Sequence, residues 1–71
     1  PLRVTPNYKA ASFKSIAYSA RGSARLALSD FEPAIADFTA AINLGSGNGW
    51  NHLQRARAFE AKGEHESAQA D

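Results

Sequence analysis

Glu64, His65 and Glu66 stand side by side, and His52 lies thirteen residues before His65. Imidazole and carboxylate are zinc donors, but a site needs three or four of them converging on one point. No spacing here puts two of these ligands one helical turn apart without crossing a break at Gly63. A metal would have to draw on several elements, and solvated histidines are the simpler reading. A second set is Lys14, Tyr18, Arg21 and Arg25, at spacings of four, three and four, which is one stripe of a helix. A basic stripe with an aromatic could hold phosphates. Long arginine stems also pack along a partner helix with their charges at its edge, and this reading is preferred. The glycine-rich stretch at residues 45–49 carries no lysine and joins two helical segments, so it is no phosphate loop. No serine or carboxylate pair comes with a base at catalytic spacing. Cysteine is absent, which removes disulfides and thiolate sites and leaves the compartment open. These residues point to no enzyme, no metal and no cofactor.

The elements that would carry them are helices. Thr5-Pro6 reads as a helix start: a hydroxyl to cap a free amide, then a proline whose missing N–H had no partner anyway. A first helix is predicted from Asn7 or Lys9 to Leu28, with Ser29-Asp30 breaking it and capping the next. The second, Phe31 to Leu44, repeats apolar residues at three and four: Phe31, Ala34, Ile35, Phe38, Ala41 and Ile42. Pro33 lies in its first turn, where a lost N–H costs little. Glycines 45, 47 and 49 stop it. A third helix is predicted from Trp50 to Lys62, with Asn48 as a possible cap. Gly63 should end it, and residues 64–71 should begin a fourth.

Composition agrees. Alanine supplies 15 of the 71 residues; it is the best helix former and lets helices approach closely. No segment alternates as a half-buried strand would, and no apolar run is long enough to cross a bilayer. The net charge of +1 conceals a division. Residues 1–29 carry five bases and no acid, whereas residues 30–71 carry three bases and seven acids. Such segregation can mark a polyanion-binding end; attraction between successive helices is the preferred account, so no nucleic-acid partner is expected. A chain that starts at Pro1 and has no methionine is expected to be part of a longer one.

The sequence also matches itself after a shift of 34 residues. Residues 21–37 laid over 55–71 give seven identical pairs in seventeen: Arg21/Arg55, Ala24/Ala58, Ala27/Ala61, Glu32/Glu66, Ala34/Ala68, Ala36/Ala70 and Asp37/Asp71. A helix–turn–helix unit recurring at 34 residues is the period of one repeat architecture in particular.

On these residues the chain resembles the tetratricopeptide repeat family. Gly22, Ala24, Phe31, Ala34, Phe38 and Ala41 follow the family pattern in order and spacing, as do Ala56, Ala58, Phe59, Gly63 and Ala68 in a second unit. The run from Arg21-Gly22 to Asp37-Phe38 looks like the bacterial variety, and residues 1–8 look like the tail of a preceding repeat. Three departures stand out: Arg25 in place of an aromatic, Ser29-Asp30 in place of the glycine turn, and Ser46 in place of a proline.

The resemblance implies an all-α fold of helix–turn–helix repeats stacked as a right-handed α-solenoid. Residues 15–48 would form one full repeat and residues 49–71 a truncated second. Gly22, Ala24, Ala34 and Ala56 would let helices approach, and Phe31, Phe38 and Phe59 would fill the space. The family's inner-face positions fall on Ile16, Ser19, Ser23, Leu26, Trp50, Leu53, Arg57 and Glu60: an apolar groove with one cation and one anion, suited to a peptide. The lysine and asparagine with which some members grip a terminal carboxylate are replaced by Ser19 and Ser23, and by Leu53 and Arg57. The function implied is a protein-interaction module, a scaffold or adaptor binding a peptide or protein surface. A self-association module and a non-catalytic arm of a larger enzyme are the alternatives. With the second unit cut short, Leu53 and Phe59 should lack cover, to be supplied by more of the same polypeptide or by a second copy.

Overall fold

The computed structural model describes the backbone of residues 6–45 and 48–70, and the side chains of residues 13–45 and 49–69. Three α-helices follow in order: α1 (Pro6–Ala27), α2 (Phe31–Asn43) and α3 (Asn48–Ala70). The described residues contain no strand. Consecutive helices run antiparallel. Ser15 and Arg25 of α1 reach Ala41 and Asp37 of α2, while Arg55 and Lys62 of α3 reach Thr39 and Glu32. Both long helices pack on α2 and barely touch each other.

The turn into α2 is made by hydrogen bonds that close the end of α1. The Asp30 amide donates to the Arg25 carbonyl at 2.8 Å, and the Ser29 amide to that of Leu26 at 2.9 Å. This pair of bonds needs a left-handed residue, usually glycine; Ser29 fills the place at φ 62°, at a cost of about 1 kcal/mol. Asp30 then stands at the N-cap, but its side chain makes no capping bond, contrary to the sequence expectation. Gly45 ends α2 at φ 84°, its amide donating to the Ile42 carbonyl at 2.9 Å. The capping roles read for Thr5 and Asn48 lie outside the described residues and side chains.

Phe38 is the centre of the core. It is wholly buried, together with Ala34 and Ala41 of α2 and Ala58 of α3. Gly22 lies beneath its ring, where a Cβ would meet ring carbons at 3.0 and 3.1 Å. The α1–α2 crossing therefore depends on Gly22 having no side chain. Trp50 closes the other side, edge-on to Phe38 with ring centroids 6.2 Å apart.

Two expectations fail. Gly63 does not end the third helix: α3 runs on to Ala70, and no separate fourth helix follows among the described residues. An interior glycine costs only about 1 kcal/mol relative to alanine, and Ala61, Lys62, Glu64 and Glu66 around it are good helix formers. Continuity also has a tertiary support. Lys62 and His65, three residues apart and so on one face, both reach α2. The Lys62 ammonium pairs with Glu32 at 2.7 Å, and the His65 ring meets Phe31 at 5.6 Å. The second failure concerns packing. Ala24 and Ala56, read as close-approach positions, are exposed, because the faces that α1 and α3 turn to α2 do not include them; Phe59, read both as a space-filler and as lacking cover in a shortened unit, is 54 % exposed.

Candidate binding surface

The surface is built from α1 and α3, which a hydrogen bond ties together. The Ser19 hydroxyl donates to Asn51 Oδ1 at 2.5 Å. Asn51 is buried at the α3 end of this contact. Beside it, Ile16 sits one turn before Ser19 on α1, and Trp50 and Leu53 bracket Asn51 on α3. Ile16 is 61 % exposed, and Trp50 and Leu53 are about half exposed. Three large apolar side chains thus stay open to solvent around the link between the two helices. Ser23 and Leu26 continue the α1 row and are half-buried. Arg57 continues the α3 row; it is exposed, and its guanidinium donates to Gln54 at 3.1 Å. Glu60 is exposed one turn further on. Ser19 is therefore fixed to α3, whereas Arg57 and Glu60 form no bridge to α1.

Where α1 meets α2 lies a charged cluster that sequence reasoning placed only in part. Asp37 is 3 % exposed. Arg21 grips it with two bonds, Nε to Oδ2 at 3.0 Å and Nη2 to Oδ1 at 2.9 Å, and Arg25 adds a third at 3.2 Å. The carboxylate is buried without being stranded, because planar guanidinium forks match its geometry. The hydrogen bond from Arg21 to Asp37 raises the arginine pKa above its ordinary value, and the guanidinium lies 5.6 Å over the Tyr18 ring. The stripe is thus engaged in packing, with Lys14 exposed at its end. Lys14, Ala17, Tyr18 and Arg21 line an open depression of about 360 Å³. The sequence held a signal for this cluster: Arg21/Arg55 and Asp37/Asp71 are both identical across the 34-residue shift, each arginine sixteen residues before its aspartate.

A shallow cleft of about 260 Å³ lies at the opposite end, between the α1–α2 turn and the last turns of α3. Asp30, Glu32, Lys62, His65 and Glu66 are among its lining residues. The bond from Lys62 lowers the Glu32 pKa and raises that of Lys62 in return. His65 is occupied by Phe31 and His52 is exposed. Among the described residues no three His, Asp or Glu side chains gather to hold a metal ion, and no helix is long and apolar enough to cross a membrane. Comparison with protein-family models, with curated proteins and with solved structures finds no match.

Proposed function

We propose that this chain is a helical-repeat module of the tetratricopeptide type that binds a peptide or protein surface along the face shared by α1 and α3. The observation that carries the reading is the exposure of Ile16, Trp50 and Leu53 around the Ser19–Asn51 link. Monomeric domains seldom leave such apolar groups together on a rigid surface without a partner. The 34-residue self-match, with a helix–turn–helix in residues 6–43, supports the repeat assignment. The partner's chemistry follows from the row: an apolar segment for Ile16, Trp50 and Leu53, with an acidic group near Arg57. Recognition by aromatic and arginine anchors is the common pattern of such sites.

The test is selection of peptides from a random display library against the 71-residue chain. Selected peptides should be apolar with an acidic residue. Trp50→Ala and Arg57→Ala should each weaken them about tenfold or more, the second with helix content by circular dichroism unchanged. Peptides that bind both variants as well as the parent place the site elsewhere.

A further inference from the structure

Helix α3 carries its charges in an order that works against itself. From Asn48 to Phe59 it has Arg55 and Arg57, with His52, and no acid; from Glu60 to Ala70 it has Glu60, Glu64 and Glu66 against Lys62, with His65. A helix N-terminus bears partial positive charge and its C-terminus partial negative charge, so bases early and acids late are the unfavourable arrangement. The first turn holds no acid and the last turn no base. Charges in this order are complementary to one thing in particular: the same helix running the other way.

The side of α3 turned away from α2 has the shape for such a neighbour. Ala56, Phe59 and Gly63 lie along it at spacings of three and four, flanked by Leu53 and Glu60, and all are exposed. Phe59 is 54 % and Leu53 48 % exposed. A side chain at Gly63 would meet nothing within 4 Å, so the glycine leaves a smooth place where a second backbone can come close.

We infer that this face of α3 pairs antiparallel with α3 of a second copy across a twofold axis near Phe59 and Glu60. One register satisfies shape and charge together. Ala56 lies opposite Gly63 of the second copy, small against small, and the two Phe59 rings meet beside the axis. Arg57 falls between Glu60 and Glu64 of the second copy, and the symmetry makes that contact twice. Arg57 is exposed, and among the described residues its one hydrogen bond is to Gln54 of its own helix. The extension past Gly63 gains a role: it carries Glu64 out to where the second copy's Arg57 lies. The pairing deepens the interaction role proposed above and shares Leu53 and Arg57 with its row, so Trp50, which lies outside the pairing face, is the position that tests the groove by itself.

The experiment is sedimentation equilibrium of the 71-residue chain from low to high micromolar concentration, at low and high salt. The chain should be a reversible dimer, weakened by salt because its charges are exposed. Arg57→Glu and Glu64→Arg should each raise the dissociation constant about tenfold or more, and the double reversal Arg57→Glu/Glu64→Arg should restore it. Phe59→Ala should weaken the dimer while leaving the helix content of the monomer unchanged. Three results overturn the pairing: a chain monomeric throughout, a dimer indifferent to both charge reversals, or a double reversal no better than the singles. Loss of peptide binding at Trp50 with the dimer intact would separate the two readings.

Discussion

Helices α1 and α3 carry copies of one pattern, 34 residues apart, and meet the same helix α2 with different sides. Ala24 and Ala58 are an identical pair, yet Ala24 is exposed and Ala58 fully buried. Arg21 binds the buried Asp37, whereas its counterpart Arg55 donates to the Thr39 hydroxyl at 3.0 Å. Gly22 lies under Phe38, whereas its counterpart Ala56 faces solvent. A helix packed between two others has two sides to fill, one for each neighbour. α1 shows what its pattern does when α2 lies on the first side, and α3 shows the same pattern with α2 on the second. The first side of α3 is the open face that holds Leu53, Ala56 and Phe59.

The comparison breaks most sharply at the phenylalanines. Phe38→Ala removes a fully buried ring and should cost about 3–5 kcal/mol, which in a chain of this size means loss of the fold. Phe59→Ala, measured at high dilution, should cost less than about 1 kcal/mol, because half its surface is already in water. Thermal melts followed by circular dichroism measure both, and equal losses would erase the distinction between the two faces.

The small residues should follow the same order with smaller effects. Gly22→Val forces a branched side chain against the Phe38 ring and should cost about 1–3 kcal/mol by overpacking. Ala56→Val, on the open face, should change stability by no more than about 0.5–1 kcal/mol, the size of the propensity difference. At the arginines, Arg21→Ala removes the two-pronged partner of the buried Asp37 and should destabilise the chain more than Arg55→Ala, though less than breaking a fully buried pair would, since Arg21 is itself half exposed. Arg55→Ala loses one bond to a neutral hydroxyl and should cost about 1 kcal/mol. Urea titration of the four variants tests the ranking.

Helix continuity through Gly63 gives a smaller test. Gly63→Ala should stabilise the chain by up to about 1 kcal/mol, since α3 is helical there with open space for a Cβ. Destabilisation would show that a turn at Gly63 matters after all. The smallest effect belongs to the Glu32–Lys62 pair. The folded pKa of Glu32 is lowered by Lys62, so its contribution is present above the unfolded carboxyl value of about 4.3. It is lost as pH falls through the lower folded value. Lys62, raised in turn by Glu32, keeps its contribution below the ordinary lysine value and loses it as pH rises through the higher folded one. Lys62→Gln should lower the melting temperature slightly at neutral pH and not at all well below pH 4.

Local chemistry alone determined much of this molecule. The three-and-four spacing of Phe31, Ala34, Phe38 and Ala41 gives α2 and its buried side, because helix geometry fixes which residues share a face. Gly45 marks the end of α2, and Gly22 marks the close crossing beneath Phe38, because each position needs what only the absence of a Cβ provides. The family resemblance put Ile16, Trp50 and Leu53 on the inner face of a groove, and the structure shows only that all three are exposed. Tertiary structure decided the rest. Gly63 is a helix-stop signal read locally, but the loss at one glycine is about 1 kcal/mol, and the contacts of Lys62 with Glu32 and of His65 with Phe31 on either side favour one unbroken helix. Asp37 could be placed on α2 from its spacing. That it would be buried, with two guanidinium groups closing on it, depended on where α1 crosses α2. Phe59 was read as core because its type and register match a packing position. Whether such a position is filled depends on a neighbouring helix being there, and a single sequence repeat carries the position without the neighbour.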